Sequence, residues 1–426
     1  MKNIYTYVTA YMAACLFMCT CSDNQETEEP KPTFHVEEEE MPEYERIPAK
    51  AIELGESEKT MNEGMKTFAW KLFGAELNDG MKDVLVSPFS TEADFAVLLC
   101  GLKDKSRQEL ADIMGLGNVS DEEIGNYFAT MQNGVAEADK MTRFASAHSL
   151  WYSSDLQLNQ TFAEKAGSIY GVETYPVRFG TEATRLINEW CAMKTYNRIT
   201  EFLKETDATD MAHLINAIYF RASWAQRFDK AATKTRPFTD ASGETQQVEM
   251  MNRMFSVGTR YDRFERFETF LLPFNNGAFA MFFVLPEEGT KPSDIMPDLI
   301  KTGISTGTSE QMTYVDFFVP KFEGRYRFSM KSSLRALGAE EIFTNGDDYQ
   351  LFTNWHQPLD DVMQECTLAI DETGAEAAAV TDIRWKSDSG GQAPPVITLE
   401  MNRPFIYGIV EKSTGLPLFI GSKGKI

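Results

Sequence analysis

A serine between two glycines is the first candidate for chemistry in this sequence. Residues 303–307, Gly-Ile-Ser-Thr-Gly, match the G-x-S-x-G pattern that carries the nucleophile of α/β-hydrolases. That pattern exposes its serine only in a sharp turn from a strand into a helix. Here a helix-like segment, residues 293–302, precedes Ser305, and a strand-like segment follows it. The order is inverted, so we predict a loop that ends a helix and keep hydrolysis by Ser305 as a minor alternative.

Histidines and cysteines are the other candidates. His148 and His213 lie in apolar runs typical of strands, where a hydrogen-bonded core histidine is expected. Three cysteines stand apart in apolar segments and are interpreted as buried thiols: Cys100, Cys191 and Cys366. The sequence has no HExxH, no paired CxxC and no Walker loop. It therefore predicts no metal, no cofactor, no catalytic residue and no enzymatic activity.

Charge restricts the partners. The 426 residues include 64 acidic and 41 basic ones, and the formal net charge at pH 7 is −23. A field of this sign repels nucleic acid and anionic membrane surfaces, so neither is expected as a partner. Hydrophobic residues make up 43% of the chain, which is ordinary for a soluble globular protein.

The first 21 residues resemble a targeting segment. One lysine near the start is followed by an apolar run, residues 8–18, which is too short for a spanning helix, and then by cysteines. The pattern resembles a bacterial lipoprotein signal with Cys21 as the lipidated residue. Cys19 is the rival position, and a plain secretory signal is the other interpretation. We expect an extracytoplasmic protein held to a bacterial membrane only by this N-terminal lipid, on the cell surface or facing the periplasm.

The next segment, residues 22–58, contains 13 acidic and three basic residues and four prolines. Such a composition buries too little apolar surface to offset the entropy of ordering, and its charges repel one another. We predict a disordered acidic tether here and a folded body over residues 59–426.

The body divides into an earlier helical part and a later strand-rich part. Apolar spacing predicts a helix over residues 61–73, capping boxes predict helix starts at Ser106 and Ser120, and residues 181–198 are helical in pattern. Runs rich in β-branched and aromatic residues predict strands over 212–220, 278–286, 313–322 and 404–412. Without βαβ alternation, this order predicts an α+β fold with mostly antiparallel sheets.

Residues 371–381, Asp-Glu-Thr-Gly-Ala-Glu-Ala-Ala-Ala-Val-Thr, form the most unusual segment. With the polar stretch 382–395 they predict an exposed loop of about 20 residues, a length that is usually functional. Small side chains suit a strand that slips between two formed strands. A helical linker and a plain surface loop are the alternatives that the residues alone leave open.

Ordered segments of the body resemble the serpins over essentially all of residues 60–426. They are 84–115, 216–238, 272–289, 319–328, 337–343, 371–381 and 403–426. The resemblance implies one α+β domain with three β-sheets, eight or nine helices and an exposed reactive-centre loop at about 372–395.

The family also implies a function. Serpins are mostly suicide inhibitors of serine proteases, and some inhibit cysteine proteases. The target protease forms a covalent acyl complex with the loop, which then inserts into the central sheet. The resemblance implies such an inhibitor, expected to be a monomer, and a non-inhibitory serpin acting as a binding or chaperone module is the alternative. The region in which heparin-dependent serpins bind glycosaminoglycan corresponds to residues 116–140 here. These residues carry no basic cluster, so no glycosaminoglycan partner is expected.

The resemblance assigns roles to individual residues. The hinge of the loop is Glu372, Gly374, Ala375, Glu376, Ala377, Ala378, Ala379, Val380 and Thr381. The residues expected to control sheet opening are Ser87, Ser90, Asn216, Trp224, Lys321 and Gln364. Glu372 is expected to pair with Lys321. Gln364 replaces a histidine of many serpins and is expected to bond to Asn216 and Ser87.

The position of the reactive bond follows from a count. The resemblance implies 17 loop residues before the bond, and counting them from Glu372 places the bond between Asp388 and Ser389. The alternatives are cleavage after Trp385, Lys386 or Ser387.

Overall fold

The computed structural model describes residues 47–77, 83–255, 259–307, 314–375 and 396–426. The helices of this part are α1 Glu56–Leu77, α2 Pro88–Leu99, α3 Asp104–Ile113, α4 Asp121–Ala138, α5 Gln160–Tyr170, α6 Thr181–Lys194, α7 Met296–Thr302 and α8 Lys331–Ala336. The strands are β1 Val84–Val86, β2 Arg143–Ser153, β3 Glu173–Val177, β4 Ala212–Ser223, β5 Lys234–Thr239, β6 Thr245–Phe255, β7 Arg260–Arg263, β8 Phe267–Pro273, β9 Phe279–Pro286, β10 Tyr314–Pro320, β11 Phe322–Ser329, β12 Met363–Ile370, β13 Gly374–Ala375, β14 Val396–Glu400, β15 Phe405–Glu411 and β16 Pro417–Lys423. No helix in these ranges is long and apolar enough to cross a membrane.

The strands form mostly antiparallel sheets. One has six strands in the order β1-β16-β15-β9-β8-β7, and another has four in the order β14-β10-β6-β5. The remaining strands form a four-stranded sheet, β13-β4-β2-β3, and the pair β11-β12. Only β10 with β14 and β2 with β3 pair in parallel within the described residues. The predicted α+β class, with antiparallel sheets dominating, is confirmed.

Strand β4 is buried on both faces, which matters for the site. Ile218 and Phe220 belong to the main core, while Ile215 and Ala217 pack in a second cluster with Trp190 of α6. Successive side chains of a strand point to opposite faces, so the two cores lie on opposite sides of β4. A strand that pairs with the free edge of β4 must therefore bury side chains on both of its faces.

The helix predictions met different outcomes. The helix over 61–73 is part of α1, and Ser120 forms the predicted capping box with Glu123. The capping box at Ser106 is wrong, because α3 begins at Asp104. The Ser106 N–H donates instead to the Asp348 carboxylate at 2.8 Å. A residue far along the chain thus takes the place of the local cap.

The predicted tether ends earlier than residue 58. Helix α1 begins at Glu56, and Ile52 is 8% exposed within the main core. The Ile52 N–H donates to Ser413 Oγ at 2.8 Å, and the Lys50 N–H donates to the Ala138 carbonyl at 3.2 Å. These contacts attach residues 50–58 to the body, which the local charge did not indicate. The predicted signal, the rest of the tether and Cys19 and Cys21 lie outside the described residues.

Candidate functional site

The site begins in the turn that joins β12 to β13. The Asp371 carboxylate accepts hydrogen bonds from the backbone N–H groups of Thr373 at 2.7 Å and Gly374 at 3.2 Å, and from the Thr373 hydroxyl. The Asp371 N–H donates to the Gly374 carbonyl at 3.1 Å. An aspartate that caps its own turn in this way fixes the direction of the chain that follows.

Gly374 fits this turn because it has no side chain. Its φ is 152°, and a Cβ built there would lie 2.2 Å from the Ala222 carbonyl oxygen and 2.7 Å from the Ser223 Cα. Both atoms belong to the backbone of β4, so neither can rotate away. The close approach lets Gly374 and Ala375 pair antiparallel with Ser223 and Ala222.

Glu372 is buried beside this pairing and carries a specific counter-ion. It is 3% exposed, and its Oε1 lies 2.9 Å from Lys321 Nζ and accepts from the Thr233 hydroxyl at 2.7 Å. Burial raises the pKa of Glu372, but the hydrogen bonds from Lys321 and Thr233 outweigh it and hold the pKa below the ordinary 4.5. The predicted contact between Glu372 and Lys321 is present.

Trp224, the residue that follows β4, contacts the same turn. Its indole N–H donates to the Asp371 carbonyl at 2.8 Å, and its backbone N–H donates to the Thr373 carbonyl at 3.0 Å. The ring stacks on Phe274, with centroids 4.6 Å apart and planes inclined by 10°. This packing makes the turn part of the core.

The exposed loop predicted from residue 372 therefore needs correction at its start. Glu372, Gly374 and Ala375 are buried, and Ala375 is 1% exposed. The ion pair of Glu372 and the short strand pairing on β4 account for this burial. Beyond the short pairing of β13 with β4, no strand pairing joins β4 to β12 within the described ranges. The remaining hinge residues, 376–381, and the candidate bond residues, 385–389, lie outside the described residues.

On strand β12, the side chain of Gln364 is hydrogen-bonded to the start of α2. Its Oε1 accepts from the Ser87 N–H at 2.9 Å, and its Nε2 donates to the Ser87 carbonyl and to Thr91 Oγ1, each at 3.0 Å. Ser87 is the N-cap of α2, where its Oγ accepts from the Ser90 N–H and donates to the Leu418 carbonyl at 2.8 Å. The expected bond between Gln364 and Ser87 is present.

The expected bond between Gln364 and Asn216 is wrong. Asn216 Nδ2 lies 2.9 Å from His148 Nδ1, the residue directly opposite on β2, and His148 Nδ1 lies 2.8 Å from Asp94 Oδ1. His148 faces Asn216 across the β2–β4 pairing and takes up the amide instead. Asn216 Oδ1 is buried without a hydrogen-bond partner in the described structure.

Several residues of this site were missed by sequence reasoning. Thr233, Phe274 and the pair Asp94–His148 are brought to their partners only by tertiary packing, whereas Asp371 caps its own turn. The one local signal was the aspartate at the start of a Thr-Gly turn. His148 and His213 lie on strands and are hydrogen-bonded, as expected, the latter to Asp210 at 3.0 Å.

The other candidate residues, Ser305 and the cysteines, do not form a catalytic or metal site within the described residues. Ser305 is exposed in the loop after α7, whose last turn is closed by Gly303, so the predicted helix-ending loop is confirmed. Cys191 and Cys366 are buried as predicted, whereas Cys100 is only partly buried; burial still raises its pKa to about 11. The described ranges hold no cluster of histidine, cysteine and carboxylate side chains suited to a metal ion.

Comparisons with known proteins agree with this geometry. The family model described as Serpin (serine protease inhibitor) matches residues 63–424. The alpha-1-antiproteinase of Mus saxicola is 27% identical over 362 residues, 83% of this chain and 86% of that protein. The corticosteroid-binding globulin of Ovis aries is 28% identical over 345 residues, 80% and 79% of the two chains. The crystal structure of a thermophilic serpin, tengpin, in the native state superposes with a TM-score of 0.75 at 25% identity, covering 89% of this chain and 98% of that one.

Proposed function

The chain belongs to the serpin family, and from this membership we propose that it inhibits serine-type proteases, with cysteine proteases as a further target class, as a suicide substrate. One observation carries the proposal. Gly374 and Ala375 already lie in register on β4, at an edge that no described strand continues to cover. The cleaved loop can extend this two-residue strand by adding backbone hydrogen bonds along β4.

The chemistry belongs to the protease. Its nucleophile attacks the carbonyl carbon of Asp388, and the peptide bond to Ser389 breaks. The new amine of Ser389 takes up a proton and becomes the start of the C-terminal fragment, which stays bound because its strands β15 and β16 lie within the six-stranded sheet. The loop residue remains bound to the protease as an acyl ester on a serine, or as a thioester on a cysteine. Insertion of the loop then draws the protease along and competes with hydrolysis of that ester, so this chain needs no nucleophile of its own.

The hinge composition supports rapid insertion. After Ala375 the sequence continues with Glu376, then three alanines, Val380 and Thr381. Alternate residues of an inserted strand face the main core, and small or apolar side chains enter it without leaving a buried charge. Proline does not occur in this stretch, so every residue can donate its N–H to the sheet.

The site of action follows from the N-terminal segment. We propose that residues 1–21 are a bacterial lipoprotein signal, that Cys21 is lipidated, and that the acidic segment after it is the tether of an extracytoplasmic inhibitor. The folded body acts as a monomer on a protease outside the cytoplasm. Labelling with a lipid precursor, in the wild type and in Cys21→Ser and Cys19→Ser variants, tests the anchor independently of inhibition.

The inhibitory function is tested with a panel of serine and cysteine proteases. Each is mixed with the purified chain and examined for a complex that survives denaturation in SDS, and the released C-terminal peptide is identified by mass spectrometry. The proposal expects at least one protease to form such a complex, with a peptide that begins at Ser389. Cleavage of the loop by every active protease, without any stable complex, overturns it.

A second candidate function is a non-inhibitory binding module. It is favoured by one observation, the 28% identity to a corticosteroid-binding globulin. The same protease panel separates the two functions. A binding module is cut as an ordinary substrate, whereas an inhibitor traps the protease.

A further inference from the structure

A cavity of about 720 Å³ lies where the C-terminal half of α2 meets the start of β4 and the start of β12. This volume is within the range of about 300–1,000 Å³ that small-molecule sites occupy. Most of the lining is apolar or aromatic, and it includes Phe95 and Leu98 of α2 and Leu150 of β2. These three side chains are buried in the main core. The cavity can therefore take up the apolar part of a small ligand.

The charged groups of the lining are mostly negative. They are four aspartates and one lysine: Asp94, Asp210, Asp360, Asp361 and Lys331. The lysine is already engaged, because its Nζ lies 3.6 Å from Asp360 Oδ1 and donates to the Asp360 carbonyl. An excess of carboxylates around apolar walls attracts a cation and repels an anion. The sign of the lining thus selects the charge of the ligand.

Asp94 is the aspartate best placed to attract that cation. Its side chain is 16% exposed, against 31% for Asp210, so solvent screens the charge of Asp94 less. Asp94 Oδ1 lies 2.8 Å from Nδ1 of the buried His148. A histidine orients a carboxylate through such a bond, but it cancels the negative charge only when its ring is protonated. The Asp94 carboxylate therefore remains available to a ligand cation.

Aromatic rings supply a second attraction for a cation. Phe352 and Trp355 both line the cavity, with ring centroids 5.8 Å apart and planes inclined by 73°. Two rings at nearly a right angle can form two walls of an aromatic cage, the kind of site that binds quaternary ammonium groups. Phe343, another ring of the lining, already carries a cation, since Lys331 Nζ lies 5.5 Å from its centroid. The rings and the carboxylates therefore favour the same class of ligand.

We propose that this cavity is a binding site for a small ligand that carries an ammonium group on an apolar body. The carboxylate of Asp94 supplies the attracting charge, and the corner formed by Phe352 and Trp355 supplies aromatic faces. Phe95 and Leu98 pack against the apolar body. This site belongs to the intact protein and is a binding activity beyond the proposed inhibition of proteases.

The test uses trimethyl(phenylalkyl)ammonium ions of increasing alkyl length as probes. Their binding to the full chain is measured by isothermal titration calorimetry, without any protease, and is compared with that of phenylalkyl alcohols and carboxylates of the same lengths. At least one ammonium probe is expected to bind saturably, and its carboxylate counterpart is expected to bind at least about tenfold more weakly. A carboxylate or alcohol that binds as tightly as its ammonium counterpart overturns the charge selection. A series without saturable binding overturns the site.

A pair of charge variants tests the role of Asp94. Asp94→Asn keeps the shape of the side chain and an acceptor for His148 but removes the charge, and it is expected to weaken ammonium binding about tenfold. Asp155→Asn makes the same change at an exposed aspartate outside the cavity and is expected to leave binding unchanged. The alcohols are expected to bind both variants equally. Equal ammonium affinities in both variants overturn the role of Asp94.

Trp355 provides a local signal and a test of the aromatic wall. The chain has six tryptophans, so the fluorescence of the wild type minus that of Trp355→Phe isolates the signal of Trp355. This signal is expected to change on addition of the ammonium probe, with the same midpoint as the calorimetric titration. Trp355→Phe keeps an aromatic face and is expected to keep most of the affinity, whereas Trp355→Leu is expected to lose it. A Trp355→Leu variant that binds like the wild type contradicts the aromatic wall.

A variant that narrows the cavity completes the test. Ala212 lines the cavity at the first position of β4. Ala212→Phe adds volume there without changing any charge, and it is expected to weaken the ammonium probes and the alcohols alike. The thermal midpoint of each unliganded variant shows whether it is folded. Unchanged binding to a folded Ala212→Phe variant places the probes elsewhere and overturns the site.

Discussion

The Lys321 ammonium lies 2.9 Å from the Glu372 carboxylate, at the point where the chain leaves β12 and enters β13. The pair ties the last buried turn before the reactive loop to the segment between β10 and β11. Glu372 is almost fully buried, whereas the side chain of Lys321 is 31% exposed. The contact thus fixes one end of the hinge while leaving the lysine accessible to solvent.

Lys321→Met is expected to destabilise the intact protein at neutral pH. The change removes one of the two side-chain partners of the buried Glu372 carboxylate and leaves only the Thr233 hydroxyl. A buried carboxylate that loses such a partner destabilises the folded state by about 1–3 kcal/mol. Urea unfolding measures the loss. Lys321→Met combined with Glu372→Gln removes the unpaired charge and is expected to recover part of it, and a double variant no better than the single one contradicts the pairing.

The same pair predicts a pH dependence. A carboxylate whose folded pKa is lowered contributes stability that is present above its ordinary pKa, 4.5, and is lost as the pH falls through the folded value. The difference in unfolding free energy between the wild type and Lys321→Met is therefore expected to shrink below about pH 4.5. A difference that stays constant to pH 3 indicates that Lys321 acts through packing alone.

Gly374→Ala is expected to break the pairing of β13 with β4. The new Cβ meets the Ala222 carbonyl oxygen, and backbone strain of this kind costs on the order of 1–3 kcal/mol. Hydrogen exchange at the amide of Ala375 and the urea midpoint report the change. Gly243→Ala is the matched control, because Gly243 also has a positive φ, 85°, but nothing lies within 4 Å of its Cβ position. Equal effects in both variants implicate φ rather than the approach to β4.

Glu92→Gln is expected to stabilise the protein at neutral pH. Both carboxylate oxygens of Glu92 are buried in α2 without a hydrogen-bond partner in the described structure, and burial raises the pKa of this group well above 4.5. A raised carboxyl pKa makes stability fall as the pH rises above the unfolded value, until the folded group ionises. Unfolding free energies measured from pH 4 to 8 are expected to decline less in the variant. Parallel pH profiles contradict the assignment.

The sequence predicted most of the elements that carry the site. The apolar runs at residues 212–220 and 278–286 appear as β4 and β9, because continuous β-branched and aromatic residues specify a buried strand locally. The prediction failed where a distant residue replaced a local partner, as Asp348 does at Ser106. It also failed for Asn216, whose nearest partner depends on cross-strand register rather than on sequence spacing. Strand register and helix caps supplied by distant residues depend on tertiary packing, which cannot be derived from a single sequence.

The hinge itself illustrates the same limit. Its small residues were evident from the sequence, and so was the partner of Glu372 through the family resemblance. The burial of Glu372, Gly374 and Ala375 was not, because it depends on Trp224, which follows β4, and on Thr233, which precedes β5. The close approach of Gly374 to Ala222 is likewise a backbone contact that no side-chain pattern encodes.

The central claim is that the cleaved loop enters the sheet faster than the acyl ester hydrolyses. Ala377→Glu tests it. If the inserted loop continues the register of Gly374 and Ala375 on β4, Ala377 comes to lie opposite Phe220 of the main core, where an unpaired charge costs several kcal/mol. At about 1.4 kcal/mol for each tenfold change in rate, insertion slows by orders of magnitude while the loop stays cleavable. Ala378→Glu is the matched control, because the next residue of an inserted strand faces the opposite side of the sheet.

The decisive measurement is the stoichiometry of inhibition of these two variants against a protease that the wild type traps. We expect Ala378→Glu to trap it with nearly the wild-type stoichiometry. We expect Ala377→Glu to be consumed as a substrate, with many molecules cleaved for each protease inhibited and with the intact variant folded normally. An Ala377→Glu variant that still traps its protease near one-to-one contradicts the insertion of this hinge and, with it, the account given for the whole site.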